Sequence, residues 1–508
     1  VVNNPWVHPA RWGSVWAILQ PWGDPALYTA NWAPLHLLAC MGLWQAFGAD
    51  PLGWHLVNVL AHALVASLLV WLYVRSGIPR SAAALLGLLF LVHPANVEAV
   101  AWIFQLKTIL ALGLALGALL AFRHRPLLAA LLFGLALLAK ISAAFALPVA
   151  AAALWCRPAQ GRGRAAWGGL LLWALLLLAV ALPELGAFQR MGEVAGRSPD
   201  LAGQLRGVLG IVARYAAMAA TSWGVSTFQE PALPAWSDPQ WALGAATLAV
   251  LALRTAITLR QRRLEAAFWI WAAAAWAPVS QVLPFLYPLA DRYLYMILPG
   301  LLGGSFLWAQ QVLAPRLRRL SGQESGGQWP RGLERAGLAA GLAVAALFAL
   351  HTSRRTPIWR SDVFVTLDAA RHYPDGLGAN FLRARGAASR GETRATLEAL
   401  RRIADRGFDG FQALERDPVL ATLRSAPGYR AVLAQVAGNW VQTVRRRRRL
   451  LPSERLTLAE AQLLRGDREA ALRNYQQVVR EGGPAAAAAR AALQALGRRG
   501  EHSADPAL

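Results

Sequence analysis

The sequence predicts an all-α protein: a polytopic transmembrane helix bundle followed by a small C-terminal α-solenoid. Three observations predict it. Of the 508 residues, 56% are hydrophobic, and they gather in Leu/Ala/Trp-rich runs through the first 350 positions. Many of these runs approach the length of about 20 residues that crosses a bilayer. In lipid every backbone amide must bond within its own segment, which a helix achieves. Lys and Arg outnumber Asp and Glu by 51 to 28, and the surplus sits largely in short loops between apolar runs, as the positive-inside rule requires. After His351 the chain turns Arg-rich, Ala-rich and soluble. The basic surplus comes with no nucleic-acid recognition module, so nucleic acid is not expected as a partner.

Residues 1–50 place Trp6, Trp12, Trp16, Trp22, Trp32 and Trp44 among Pro and Gly breaks. Trp favours membrane interfaces, where its apolar ring and its N–H are both satisfied. The stretch is read as an outer-face loop with interfacial helices. Apolar runs follow at 53–74, 81–93, 103–122, 126–141, 142–156, 165–187, 203–222, 240–258, 266–283, 293–313 and 335–351. About ten of them are expected to span. They form a bundle over 51–313, a basic linker over 314–334 and a last span over 335–352.

The loops carrying Arg75/Arg80, Arg123/Arg125, Arg157/Arg162/Arg164, Arg254/Arg260/Arg262/Arg263 and Arg316–Arg335 face the cytoplasm on this reading. The other face receives residues 1–50, the segment His93–Glu98, Lys140, the loop 188–204, Phe228–Trp241 and Pro284–Tyr295. If 203–222 crossed fully, the Arg254–Arg263 loop would turn outward against the rule. That run is therefore read as re-entrant or interfacial. Cys40 and Cys156 are too few for a disulfide framework and read as small buried residues.

Residues 353–500 form the second domain, with a tail at 501–508. Positions 458–484 fit the tetratricopeptide pattern through Gly466, Ala471, Tyr475, Val478 and Pro484. Residues 377–406 fit more weakly around Gly391, Leu400 and Ile403, and Leu414–Asp417 with Pro418, Leu423 and Pro427 resembles a degenerate unit. Such repeats bury a core only by stacking, so about three units are expected. The run Arg445–Arg449 reads as a solvated face or a contact with anionic headgroups.

A carboxylate at membrane depth is costly and marks a candidate site. Glu98, in the polar island His93-Pro94-Ala95-Asn96-Val97-Glu98, is the first such candidate. It acts at a site or pairs structurally with Lys107 or Arg292. Lys140 ends an apolar run, either snorkelling to headgroups or binding phosphate. His93 caps or hydrogen-bonds within its loop, and no ligand set for a divalent metal accompanies it. His55, Asn58 and His62 share one helix face suited to interhelical hydrogen bonds. Asp291, Arg292 and Tyr293 form an acid-Arg-Tyr cluster in which Asp291 and Arg292 pair with each other, pair with neighbours, or serve a ligand. Asp24, Glu230 and Asp238 read as solvated acids. No paired-Cys metal motif, phosphate-cradling Gly loop or nucleophile elbow is present.

Two stretches carry a family resemblance. His93-Pro94-x-x-Val97-Glu98-x-Val100-Ala101-Trp102-Ile103 and Asp291-Arg292-Tyr293-Leu294-Tyr295 resemble motifs of the transmembrane and tetratricopeptide-repeat O-mannosyltransferases and their bacterial relatives. Those proteins belong to the GT-C glycosyltransferase superfamily. His55-Leu56-Val57-Asn58 with His62 resembles the helix after their first outer loop, and the repeats complete the order.

The resemblance implies a GT-C-like bundle that moves a sugar, for instance mannose, from a polyprenyl-phosphate donor to a protein or glycan hydroxyl on the periplasmic face of a bacterial inner membrane. The C-terminal domain would then lie in the periplasm and engage the acceptor. It casts Glu98 as catalytic, and His93, Lys107, Lys140, Asp291, Arg292 and Tyr293 as donor-binding. The family's acidic pair would lie upstream of residue 1, so the chain is read as starting inside the first outer loop. Where relatives carry Glu-Arg-Lys-Asp, this chain has Gln105-Leu106-Lys107-Thr108, keeping only the lysine. A non-catalytic membrane anchor for the repeats is the rival reading. A transporter would call for midplane charges and inverted repeats, and the sequence shows neither.

Overall fold

A computed structural model describes residues 4–8, 12–29, 31–157, 163–191, 200–282, 287–320, 331–445, 447 and 449–502. The middle of the expected loop 188–204, the middle of the linker 314–334, the start of the Pro284–Tyr295 cluster and most of the tail 501–508 lie outside the described residues. Every regular element among the described residues is helical. The chain divides into two compact units, one holding nearly all of the first 368 residues and the other chiefly Ala369–Leu508.

Among the described residues of the first unit, six helices are long and apolar enough to cross a membrane: Pro51–Arg75, Ile103–Ala121, Ala165–Ala187, Gln240–Arg260, Asp291–Leu317 and Gly332–Arg360. A seventh results if Arg80–Leu91 and Pro94–Ala101, bent by 49°, count as one span. This multi-pass architecture has fewer full-length spans than the ten or so expected, and the reason is local. Pro126–Ala139 has 14 residues, about 21 Å at 1.5 Å per residue. It stops where Lys140 adopts an extended backbone with φ −164°. A short 3₁₀ turn and the helix Ala146–Cys156 follow. Glu265–Trp276 is likewise only 12 residues long. These short helices are lined with buried Ala, Phe and Trp and complete the protein core, a role that run length alone does not reveal. The run at 203–222 folds as the helix Leu201–Thr221, outside the six. Its Arg206 stacks on Trp236 at 4.4 Å.

Proline at the first turn starts several helices at no hydrogen-bonding cost, since that N–H would be orphaned anyway. Pro51 does this after Asp50, whose carboxylate accepts from the Leu52 N–H at 3.0 Å. The core collects Leu69, Tyr73, Phe90, Leu112, Phe133, Trp173, Trp271 and Tyr295, all buried. The rings of Phe133 and Trp173 stack with centroids 4.3 Å apart. Small residues let backbones approach where helices cross: a Cβ at Gly300 would sit 2.7 Å from both the Ala272 nitrogen and the Phe268 oxygen.

The second unit is built from helical hairpins. Leu377–Ser389 packs on Thr393–Asp405, and Pro452–Leu464 on Arg468–Glu481, followed by Pro484–His502. The turns use Gly391 (φ +76°) and Gly466 (φ +83°), a left-handed backbone that glycine adopts without strain. Leu400, Ile403, Phe411, Leu414, Tyr429 and Val436 form one core, and Ala459, Ala471, Tyr475, Val478 and Ala489 a second. Within the Arg445–Arg449 run, Arg447 pairs with Glu454 and lies 5.6 Å from the Trp440 ring.

Candidate functional site

The polar island folds as a break between two helices. His93 caps the 3₁₀ turn Pro94–Asn96: its Nδ1 accepts from the Ala95 N–H at 3.2 Å, and its Nε2–H donates to the Ala219 carbonyl at 3.2 Å. Asn96 donates to the Phe90 carbonyl at 2.7 Å. Both imidazole nitrogens are thus consumed, and His93 is a capping residue that faces Phe348. It does not present a nitrogen to a ligand.

Glu98 follows one turn later and is buried. Its Oε2 accepts from the Arg292 backbone N–H at 2.8 Å, and its Oε1 pairs with the Arg292 guanidinium. Of the two pairings the sequence allowed, the structure selects Arg292. Its neighbour Asp291 turns elsewhere, accepting from Gln229 at 2.7 Å and from Arg355 at 3.3 Å. Arg355 also donates to the Val225 carbonyl at 3.1 Å. Asp291 and Arg292 therefore do not pair with each other. Asp291 ties the start of one helix to the end of another, which favours a structural role for it. Arg355, to which no motif pointed, is its buried partner.

Arg292 is only partly occupied by Glu98. Its guanidinium carbon lies 5.4 Å from the Trp102 ring, 5.0 Å from Tyr287 and 4.9 Å from Tyr293, an arrangement suited to cation–π attraction. Tyr293 thus enters the site as one wall of this aromatic cage.

The two lysines complete the cluster. Lys140 is half-buried and bonded within the protein: its Nζ donates to Thr108 Oγ1 at 2.9 Å, and Thr108 donates to Gln105 Oε1 at 2.8 Å. Gln105 and Thr108, two of the three positions that depart from the motif, are therefore the ones that seat Lys140. Lys107 lies 4.8 Å over the Phe104 ring. Neither lysine belongs to an ion pair among the described residues. Lys140 lies within electrostatic reach of Lys107, Arg292 and Glu98, and Lys107 within reach of Arg292 and Glu184.

Two further residues border the lysines, and neither was recognised from sequence. Glu184 accepts from the Trp32 backbone N–H; it is a lone acid at the end of an apolar run, the signal that singles out Glu98. His36 sits edge-on to Phe104 at 4.8 Å, with its Nε2 3.7 Å from Cys40 Sγ. Burial, then the Lys107 and Lys140 charges, hold His36 well below the ordinary imidazole range. A histidine in a Trp-rich loop carries no such signal in sequence.

His62 and Asn58 make the interhelical bonds their shared face suggested. His62 Nδ1 accepts from the Tyr295 hydroxyl at 2.9 Å and Nε2–H donates to the Leu91 carbonyl at 3.1 Å, while Asn58 donates to the Val100 carbonyl at 3.0 Å. No group of three or more His, Cys, Asp or Glu is placed to hold a metal among the described residues.

The site is thus a cationic cluster at one end of the bundle. The helices bearing Lys107 and Arg292 begin there, and those bearing Lys140 and Glu184 end there. Chemically, it can receive an anion.

No family model matches the chain, and no solved structure does. Over 98 residues the chain is 40% identical to the protein O-mannosyl-transferase Tmtc1 of Drosophila melanogaster. The match covers 19% of this chain and 11% of the length of that relative. It ties part of the chain to a glycosyltransferase.

Proposed function

We propose that this chain is a membrane glycosyltransferase of the GT-C type that moves a sugar from a polyprenyl-phosphate donor to a hydroxyl of a protein or glycan. One observation carries the reading: Lys107 and Lys140 are half-buried without carboxylate partners, beside the caged Arg292. Cations drawn part-way out of water with no ion-pair partner offer a seat to an anionic ligand. A phosphate at the mouth of the helices, with its polyprenyl tail in lipid, meets that requirement. The partial likeness to an O-mannosyl-transferase supports the sugar.

In this mechanism the acceptor hydroxyl attacks the anomeric carbon, the bond from that carbon to the phosphate oxygen breaks, and the electron pair leaves on the phosphate. Lys107, Lys140 and Arg292 neutralise that developing charge, where charge-assisted contacts are strongest. Glu98 is a positioning residue here: both of its oxygens hold Arg292, which leaves it ill-placed to take the acceptor proton. The resemblance assigns that proton to the family's acidic pair. The active face is the one opposite the Arg-rich loops, the periplasmic side in a bacterial inner membrane, with the helical domain presenting the acceptor.

The second reading, a non-catalytic anchor for the helical domain, draws on the closed Glu98–Arg292 pair. A reconstitution assay separates the two. Proteoliposomes of the full chain are offered radiolabelled polyprenyl-phosphate sugars with membrane proteins as acceptors. Transfer of label that is lost on Lys107→Gln supports the enzyme. Absence of transfer, with no binding of labelled donor, supports the anchor.

A further inference from the structure

A second cationic cluster lies at the opposite end of the membrane unit. There Pro51–Arg75, Leu106–Ala121 and Ala146–Cys156 end and Glu265–Trp276 begins. Between them is a small cleft of about 90 Å³, room for a few methylenes, lined by Leu119, Phe122, Leu154, Phe268 and Trp271 together with Arg123. Arg123 lines it, and Arg75 and Arg157 bond to carbonyls at the neighbouring helix ends. Arg75 donates to the Leu120 carbonyl at 3.5 Å, Arg157 to the Ser76 carbonyl at 3.3 Å, and Arg123 to the carbonyls of Ala153, at 3.3 Å, and Arg157.

Helix C-terminal carbonyls attract cations, which accounts for where these side chains lie. A guanidinium has five donors, of which each of these uses one or two on the protein. Arg75 also stacks over Trp71 at 5.1 Å. With Arg75 and Arg157 exposed and Arg123 half-buried, the remaining donors are open to an anion. None of the three joins an ion pair among the described residues. Burial, and to a smaller extent the nearby charge of Arg157, pull Arg123 down from its ordinary value. Ser76, the polar wall residue, spends its hydroxyl on the Leu72 carbonyl.

We propose that this cleft is a binding site for an anionic phospholipid, whose phosphate diester is held by Arg123 and Arg157 while a segment of acyl chain fills the apolar space behind them. The charge complementarity and the apolar wall together select an amphiphile over a free anion. Basic pockets between helices at headgroup depth are the usual setting for such lipids. The site lies apart from the proposed sugar-transfer cluster and would bind in a chain with no transferase activity.

The test uses the full chain in detergent, followed by native mass spectrometry and thermal unfolding. The probes are phosphatidylglycerol, phosphatidylcholine with the same acyl chains, and inorganic phosphate. Phosphatidylglycerol should stay bound through mild activation and raise the unfolding midpoint; the other two should not. The double variant R123Q/R157Q should bind phosphatidylglycerol roughly 30-fold more weakly, the loss expected for two basic residues. Ala153→Phe fills the cleft with both arginines intact and should lose the lipid too, which keeps the test decisive if the double variant misfolds. Equal stabilisation by phosphatidylcholine, a full shift from phosphate alone, or wild-type lipid binding in a folded variant would overturn the proposal.

Discussion

Two charge clusters in the membrane unit are built on opposite principles. In one, Arg254 donates to both oxygens of the fully buried Glu265 at 2.6 and 2.7 Å, and Trp269 adds a third donor at 2.8 Å. Gln311 accepts from Arg263 at 2.7 Å and from Arg254 at 3.4 Å. The one buried acid there has a bidentate ionic partner, and the cluster clasps three helices. In the other, Lys140 has only a hydroxyl and Lys107 only an aromatic face. The first cluster is a finished structural joint. The second holds two half-buried lysines with no ion pair, open to an anion from outside. Function is better sought where buried charge is left over than where it is merely present.

The contrast can be broken experimentally. Glu265→Ala leaves Arg254 buried without its partner and should cost about 3–5 kcal/mol of stability, read as a lower unfolding midpoint in detergent, with transfer unimpaired in the surviving folded protein. Lys140→Met should do the reverse. Removing an unpaired cation should raise the midpoint while transfer from a polyprenyl-phosphate sugar falls by about 100-fold, or about 3 kcal/mol of barrier. A variant both less stable and fully active would erase the difference between the clusters.

Glu98→Gln keeps an acceptor for the Arg292 backbone and loses the ionic half of the contact. Transfer should drop about tenfold through a weaker donor affinity, the scale of one charge-assisted hydrogen bond. A collapse in turnover at saturating donor would instead return Glu98 to the role of base. The smallest effect concerns His36. Its folded-state value is held below the unfolded one, so the stability it contributes is full above about pH 6.5 and is lost as pH falls through the folded value. His36→Phe should flatten the acid limb of the midpoint-versus-pH curve. An unchanged limb would show that His36 is not held below its ordinary range.

Much of this was legible in the residues, and unevenly so. Gly466, Ala471, Tyr475 and Val478 announced a helical hairpin because a left-handed turn and a buried stripe depend on local spacing alone. The island at His93–Glu98 stood out because polar groups amid apolar runs are costly. Its internal wiring was not legible: Glu98 meets a residue 194 positions away, and Asp291 meets Arg355 across 64. Neither choice leaves a trace in either local segment. The short runs at 126–156 looked like spans because apolar length does not distinguish burial in lipid from burial in protein. The extended backbone at Lys140 is what interrupts them.

Helical class, a membrane-crossing first half and a separate helical second half follow from composition, run length and arginine placement, because hydrogen-bond satisfaction in lipid admits few alternatives. Which carboxylate each arginine engages, how many helices are long enough to cross, and the isolation of Lys107 and Lys140 were settled by packing. Pairing energies fall off within a few ångströms, and only the folded chain brings distant charges that close or keeps them apart.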